Sequence, residues 1–257
     1  MGYRHLVQRF VLAAFVITVV SPAVASAQTK SVRNVIKPRT PPDARGRAVL
    51  AQANAAAGLK ILVSTEDRRL WLVGGRDTFM SVPVAVGMGK SFTFEGKQFF
   101  FDTPRGRRKV IGKTENPQWQ VPEWHYLERA SQMGFKLVRM DRNAKYLLKD
   151  GSFLLTIGDN VGRLNNAGKF WPFTPGLEVM YDSTVFLPPT GTKQRLVPDA
   201  LGPFKLDTGD GYLLHGTHIY NEDEIGEAVS HGCVRLRNAD LDRLYSMVPV
   251  GTPVFIF

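Results

Sequence analysis

Short apolar runs separated by turns recur along most of this chain, and they constrain its fold more than any other feature. Residues 59–64, 69–73 and 79–86 have the length and composition of strands and end near glycines. Residues 92–101 are typical of a β-hairpin, with Gly96 at its turn. Scattered through the chain are 24 glycines and 16 prolines, as in turn-rich β proteins. The pattern predicts a mainly β domain over 59–257 that opens with a β-meander.

The middle of the chain follows a different pattern. The stretch 123–148 is the most helix-like, because its large apolar residues recur at helical spacing. We expect about 123–190 to be an inserted subdomain that caps or flanks the functional site. Near the C-terminus, Asn238 is expected to be the N-cap of a helix over 239–248, before a terminal strand. The predicted fold is therefore sandwich-like, with one helix in the C-terminal region and an inserted middle subdomain.

Two N-terminal segments are predicted to lie outside this domain. Arg4 and Arg9 precede an apolar run over 10–20, and small residues follow it. This is the pattern of a secretory signal peptide over 1–27, cut after Ala27. The alternative, an uncleaved anchor, is less favoured because eleven residues rise only about 16 Å against a hydrocarbon core of about 30 Å. Residues 28–58, rich in basic residues and proline, are predicted to be a basic flexible tether.

The formal net charge of +10 suits an anionic partner. For an exported protein, peptidoglycan stem peptides, anionic wall polymers and peripheral contact with a membrane surface all qualify. No nucleic-acid motif is recognisable, so we expect no nucleic-acid partner. We predict a location in the periplasm or cell envelope, and the oligomeric state stays open.

Cys233 is the chain's one cysteine, so it cannot form an internal disulfide. A lone thiol in an oxidising compartment is a liability unless chemistry requires it, although a buried core thiol is the alternative. Three of the five histidines lie in two short segments, one from Tyr212 to His218 and one from Ser230 to Leu236 that also holds Cys233. This concentration favours a catalytic thiol.

A thiol nucleophile needs a base, or a depressed pKa, and an imidazole supplies both near neutral pH. We expect the backbone N–H groups of Gly232 and Cys233 to hold an oxyanion, since a glycine turn exposes them. From the residues alone, either His215 or His231 could be the base. A zinc site made by both histidines and Cys233 is disfavoured because the spacing matches no familiar metal motif.

These segments resemble the signature of the YkuD-type L,D-transpeptidases, in which a His-Gly pair precedes Ser-His-Gly-Cys. The resemblance covers most of 59–257, apart from about 123–190. Similar local motifs are Thr103-Pro104-Arg105-Gly106, Asn116-Pro117-Gln118-Trp119 with Pro122, and Leu201-Gly202-Pro203-Phe204.

The resemblance implies that Cys233 is the nucleophile and His215 the general base. It places Ser230, His231, Gly232, Arg235 and Gly216 on the oxyanion and substrate side. Arg235 could clamp a stem carboxylate or form a structural ion pair.

The implied reaction is acyl transfer without metal or cofactor. Cys233 attacks a tetrapeptide stem, D-alanine leaves, and an amine of a neighbouring stem resolves the thioester into a 3→3 cross-link. The alternatives are a carboxypeptidase, an enzyme that anchors or releases wall proteins, and a non-catalytic wall-binding module.

Among the remaining residues, the sequence predicts a solvated loop face for Glu222, Asp223, Glu224 and Glu227. Trp119 and Trp124 are expected to be packing residues or a cleft wall, His218 is expected to be a loop histidine, and His125 has no assigned role.

Overall fold

The structure is a computed structural model that describes residues 36–257. The predicted signal peptide and residues 28–35 of the predicted tether lie outside the described residues. The first part contains α1 (Ala44–Ala55), β1 (Leu59–Ser64), β2 (Arg69–Gly74), β3 (Asp77–Pro83), β4 (Val86–Gly87), β5 (Ser91–Phe94), β6 (Lys97–Phe100), β7 (Gly106–Lys109) and β8 (Gly112–Glu115).

The middle and last parts complete the chain. The middle part contains β9 (Trp119–Gln120), α2 (Glu123–Met133), β10 (Lys136–Arg139), β11 (Lys145–Leu147), β12 (Phe153–Ile157), β13 (Asn160–Leu164), β14 (Phe170–Pro172), β15 (Val179–Tyr181) and β16 (Thr184–Leu187). The last part contains β17 (Leu196–Val197), β18 (Phe204–Asp207), β19 (Leu213–His215), β20 (Ala228–Ser230), β21 (Val234–Arg235), α3 (Asn238–Met247) and β22 (Pro253–Ile256), with short 3₁₀ helices at Lys193–Arg195 and Ile219–Glu224.

Two sheets enclose the main core, which confirms the sandwich-like, mainly β prediction. One has the order β3-β2-β1-β22-β7, and the other has the order β21-β19-β18-β8. Ile61 and Val63 of the first sheet pack in one core with Leu206 and Leu214 of the second. The predicted C-terminal helix, α3, adds Leu241 and Leu244 to the same core.

The central strand β1 is buried on both faces, which explains the apolar run Ile61-Leu62-Val63 in its middle. Side chains alternate along a strand, so Leu62 points away from Ile61 and Val63. On that second face it packs with Val49 and Phe257 in a separate core that α1 completes. The terminal strand β22 lies parallel to β1 inside the sheet.

Helix α1 corrects the prediction of a basic flexible tether, which is wrong for residues 36–58. The Asp43 side chain accepts a hydrogen bond from the Gly46 N–H at 2.7 Å and caps the helix. Val49 and Ala53 are buried against the sheet. The sequence concealed this docking because few apolar residues stand among many basic ones.

The middle part forms two small sheets with cores of their own. Their orders are β10-β16-β15 and β11-β12-β13-β14. Helix α2 packs Tyr126 and Ala130 against Val185 and Leu187 of β16. The helical pattern predicted for 123–148 is right for 123–133, and Gly134 then ends the helix with a left-handed backbone (φ 65°). None of the helices in the described residues is long and apolar enough to span a membrane.

Candidate active site

The parallel pairing of β19 with β21 brings the two predicted catalytic residues together. Leu214 pairs with Val234, and His215 pairs with Arg235. Cys233 immediately precedes β21 and is therefore level with Leu213, two residues before His215. Because side chains alternate along strands, Cys233, His215 and Arg235 lie on the same face of this sheet. Cys233 is partly exposed there.

His215 is buried and bound to the main chain. Its Nδ1 lies 2.6 Å from the Gly216 carbonyl oxygen. A carbonyl can only accept, so Nδ1 carries the proton and Nε2 keeps its lone pair. Burial, together with the nearby Arg235 charge, lowers the pKa of His215 to about 3. The imidazole is therefore neutral at physiological pH and able to take a proton at Nε2.

The environment of Cys233 corrects one expectation, because it does not depress the pKa of the thiol. Although the residue is partly exposed, the atoms packed around its thiol desolvate it, and this raises the pKa of Cys233 above its usual value. The Leu213 N–H and the Arg235 charge oppose that shift. The thiol Sγ lies 4.0 Å from the Gly211 carbonyl oxygen, a weak contact. The shifts in pKa therefore favour the neutral form of both groups, the Cys233 thiol and the His215 imidazole.

The turn before Cys233 is held in a conformation that only glycine adopts easily. Gly232 has φ 128°, and a Cβ there would lie 2.9 Å from the Tyr212 ring. Ser230 supports the turn, since its Oγ donates to the Cys233 carbonyl at 2.6 Å. The same Oγ accepts the Gly232 N–H at 3.1 Å. The expectation that the Gly232 N–H is free for an oxyanion is therefore wrong in this state.

The backbone N–H of Cys233 differs from that of Gly232, because no acceptor binds it within residues 36–257. It is the donor of this turn that remains available for an oxyanion. On the other side, the Thr103 hydroxyl donates to the Gly232 carbonyl at 2.9 Å. The same hydroxyl accepts the Gly87 N–H at 2.7 Å. Thr103 thus connects the turn that precedes Cys233 to the opening meander.

Gly216 was expected on the substrate side, but it lies buried behind His215. Asn238 fills the space beside it, and a Cβ on Gly216 would lie 2.2 Å from the Asn238 Oδ1. The Asn238 side chain accepts the Thr217 N–H at 3.0 Å and donates to the Thr217 carbonyl at 2.9 Å. Asn238 is therefore not the predicted N-cap of α3. Its amide fixes the loop that orients His215, and Glu222 instead accepts the Asn238 N–H at 3.1 Å.

Arg235 forms the ion pair that was one of its two predicted roles. Its Nη1 lies 2.8 Å from the Glu224 Oε2, and both side chains are partly buried. The predicted solvated loop face is therefore wrong for Glu224, as it is for Glu222. The guanidinium remains beside His215 and Cys233, where its charge disfavours an imidazolium and favours a thiolate.

His231 lies against the middle segment of the chain. Its Nε2 is 2.9 Å from the Glu128 Oε2 on α2. The Trp124 ring stacks on it, with centroids 4.5 Å apart and planes 24° apart, and Phe101 meets its edge at 4.4 Å. Burial lowers the pKa of His231 and outweighs Glu128, which raises it. Of the two roles predicted for Trp124, these ring contacts support packing.

The two histidines therefore bind different partners and do not converge on a metal site with Cys233. Within residues 36–257, no group of three or more His, Cys, Asp or Glu side chains is arranged to hold a metal ion. His218 is a loop residue beside Tyr220. His125, which had no predicted role, pairs with Glu178 at 2.6 Å.

Sequence reasoning missed the roles of three residues that support the site: Thr103, Asn238 and Glu128. Thr103 lies in a motif noted for its resemblance, which could have indicated its role. Glu128 had no such signal, because a single acid on a polar helix face is ordinarily solvated.

Comparison with known proteins places this geometry in a family. Residues 59–256 match the model of the YkuD family, described as the L,D-transpeptidase catalytic domain. The chain is 50% identical over 54 residues to the probable L,D-transpeptidase YbiS of Escherichia coli K12, a match of 21% of this chain and 17% of that protein. It is 32% identical over 109 residues to the probable L,D-transpeptidase ErfK/SrfK of Salmonella typhimurium, covering 36% and 35% of the two chains. These matches span well under half the length of either relative.

Solved structures give a more distant likeness. An L,D-transpeptidase from Xylanimonas cellulosilytica is 15% identical, with a TM-score of 0.40 over 82% of this chain and 68% of that one. An L,D-transpeptidase from Mycobacterium smegmatis is 14% identical, with a TM-score of 0.41 over 79% and 59%. The family match covers most of the chain, and it includes the paired strands that carry His215 and Cys233. The chain therefore belongs to the YkuD family of L,D-transpeptidase catalytic domains.

Proposed function

We propose that this protein is an exported peptidoglycan L,D-transpeptidase with Cys233 as nucleophile and His215 as general base. The observation that carries the proposal is the pairing of β19 with β21, which puts both side chains on one face. The Nδ1–H of His215 is bound to Gly216, so Nε2 is the ring atom left to accept the thiol proton.

The first half-reaction forms a thioester. The sulfur attacks the carbonyl of the third residue of a tetrapeptide stem while its proton moves to Nε2 of His215. The Cys233 N–H stabilises the oxyanion that forms. The carbon–nitrogen bond then breaks, Nε2 returns its proton to the leaving amine, and D-alanine departs.

The second half-reaction forms the cross-link. An amine of a neighbouring stem attacks the thioester, His215 removes its extra proton, and the carbon–sulfur bond breaks. The proton returns to the sulfur, so the free thiol is restored and a 3→3 cross-link is released. Desolvation of the Cys233 thiol fits this cycle, because a neutral thiol is a stable resting state that attacks only with base assistance.

The proposal is tested by incubating the protein with purified tetrapeptide muropeptides and reading the products by mass spectrometry. A cross-linked dimer with release of D-alanine supports the transpeptidase, and Cys233→Ala should give neither. A tripeptide monomer would identify water as the acceptor and make the enzyme a carboxypeptidase. Transfer to a protein lysine would indicate wall-protein anchoring. No change with a reactive thiol would overturn the proposal.

The same proposal places the protein in the periplasm or cell envelope, where peptidoglycan is cross-linked. Cleavage after Ala27 would make Gln28 the first residue of the mature chain. N-terminal sequencing of the protein recovered from the cell envelope tests this, and a retained Met1 in the membrane fraction would contradict cleavage.

A further inference from the structure

Helix α2 reaches from the middle segment to the turn that carries the nucleophile. Glu128 and Trp124 lie one turn apart on this helix, and both contact His231, two residues before Cys233. The Glu128 side chain is only 16% exposed, and its one ion-pair partner in the described residues is His231. A carboxylate so far removed from water needs a specific partner, so this contact is more than a surface ion pair.

The rest of the polar face of α2 binds elsewhere. His125 and Arg129 both pair with Glu178, at 2.6 Å and 3.0 Å. These contacts anchor the helix within the middle segment. Glu128 is therefore not needed to hold α2 to its own segment, and it remains directed at the catalytic turn.

The contact also decides which nitrogen of His231 is available. A carboxylate can only accept, so Nε2 carries the proton that it shares with Glu128. Nδ1 then has a lone pair, and no group in residues 36–257 binds it. The stacked Trp124 and the edge contact with Phe101 restrict the ring plane. His231 is thus held as a hydrogen-bond acceptor beside Cys233.

We propose that Glu128 and Trp124 are positioning residues that act through His231, so that the middle segment orients the stem peptide at the nucleophile. The group recognised at Nδ1 is an N–H donor of the stem, either a peptide N–H or an amine. This inference rests on the proposed function for its substrate. The positioning of the ring can be measured without any turnover.

The kinetic test compares three variants. Glu128→Leu removes the acceptor, and Glu128→Gln keeps a neutral one that can still bind the Nε2–H. Glu123→Gln is the matched control, because Glu123 lies on the same helix but pairs with Arg139. We expect Glu128→Leu to lose about 10- to 100-fold in kcat/KM for the tetrapeptide stem, the range for a hydrogen bond to a charged group. Glu128→Gln should lose less, and Glu123→Gln nothing.

Alkylation of Cys233 by iodoacetamide should stay within about twofold in all three variants, since a small reagent does not need His231. A merely structural role for Glu128 would instead lower alkylation and turnover together with thermal stability. Equal kcat/KM in wild type and Glu128→Leu would overturn the inference.

The ring itself provides the second readout. In ¹⁵N-histidine NMR spectra, His231 should show the Nε2–H tautomer in the wild type and a mixture in Glu128→Leu. Trp124 fluorescence should also report the charge of the His231 ring, because a protonated imidazole quenches a stacked indole. The Trp124→Phe variant shows which part of the fluorescence comes from Trp124. The charged groups that face the ring are Glu128 and His125 from α2 and Arg235 from β21.

Glu128 raises the pKa of His231, so Glu128→Gln should move the fluorescence midpoint to lower pH. An unchanged tautomer and midpoint would overturn the positioning role. If wild type shows no turnover while these ring signals respond to Glu128, the proposed function fails and the positioning stands.

Discussion

Two sets of residues near Cys233 hold their histidines in different ways. We call His215 and Asn238 the β19 wall, and His231, Glu128 and Trp124 the α2 wall. On the β19 wall, His215 is buried and bound to a main-chain carbonyl, and Asn238 supports the loop behind it. On the α2 wall, His231 is partly exposed and bound to side chains, the Glu128 carboxylate and the Trp124 ring.

The main-chain contact of His215 is set by the fold, whereas the side-chain contacts of His231 can change by substitution. A carbonyl cannot titrate and no substitution removes it, so the tautomer of His215 follows from the backbone alone. The orientation of His231 depends on two side chains of the middle segment, and each can change independently. We therefore expect the β19 wall to carry the chemistry and the α2 wall to tune how the substrate meets it.

The largest effect should come from replacing Cys233, the proposed nucleophile. Cys233→Ala should abolish the covalent adduct and turnover, because no other cysteine exists in the chain. A carbapenem-type acylating agent followed by intact mass measurement tests this, with one adduct expected on wild type. A native thiol that reacts only after denaturation would mean that Cys233 is a core residue.

His215→Ala should be the next largest effect. Loss of the general base is expected to reduce kcat/KM by about 10²- to 10⁴-fold. Because the thiol pKa is already raised by burial, the pH midpoint for alkylation should not rise further, and the loss should lie in base-assisted attack. The test measures single-turnover acylation and alkylation rates against pH for wild type and His215→Ala. A higher alkylation midpoint in His215→Ala would show that Cys233 thiolate and His215 imidazolium form an ion pair before substrate binds.

His231→Ala should act more weakly and mainly on the substrate. We expect a loss of about 10- to 100-fold in acylation by the stem, with iodoacetamide reactivity largely kept. The ratio of the two rates for each variant is the informative measurement. If His231→Ala removes base assistance while His215→Ala keeps it, the roles of the two walls are reversed.

The sequence predicted most of the fold because local patterns and core packing agree there. The opening strands, the 92–101 hairpin and α3 are close to their expected places. The firm docking of α1 was not predicted, since few apolar residues stand in a stretch rich in basic residues. The role of Asn238 was also missed, because an asparagine before an apolar helix pattern equally predicts an N-cap.

At the site, the residue types and their order indicated Cys233 and His215, but their environment could not be predicted. Whether a thiol pKa rises or falls depends on burial, which follows from packing of distant segments. The same holds for the contact of Glu128 with His231, which lie 103 residues apart in sequence. The free N–H of Cys233 and the engaged N–H of Gly232 likewise depend on the rotamer of Ser230.

The smallest predicted effect is on stability in mild acid, and it distinguishes the walls without substrate. The pKa of His215 is about 3 in the folded protein and about 6.5 when unfolded. Between these two values the unfolded state binds a proton at His215 and the folded state does not. Stability is therefore complete above pH 6.5 and falls as pH decreases towards 3. At pH 5.5 this one group lowers the free energy of unfolding by about 1 kcal/mol.

His215→Gln cannot be protonated, so its urea unfolding free energy should decline less between pH 7.5 and 5.5 than that of wild type. His231→Gln should reduce the acid-induced loss of unfolding free energy less than His215→Gln does, because Glu128 opposes the lowered pKa of the His231 ring. Equal acid sensitivity in wild type and both variants would mean that His215 is not buried as a neutral base, and the contrast between the walls would be lost.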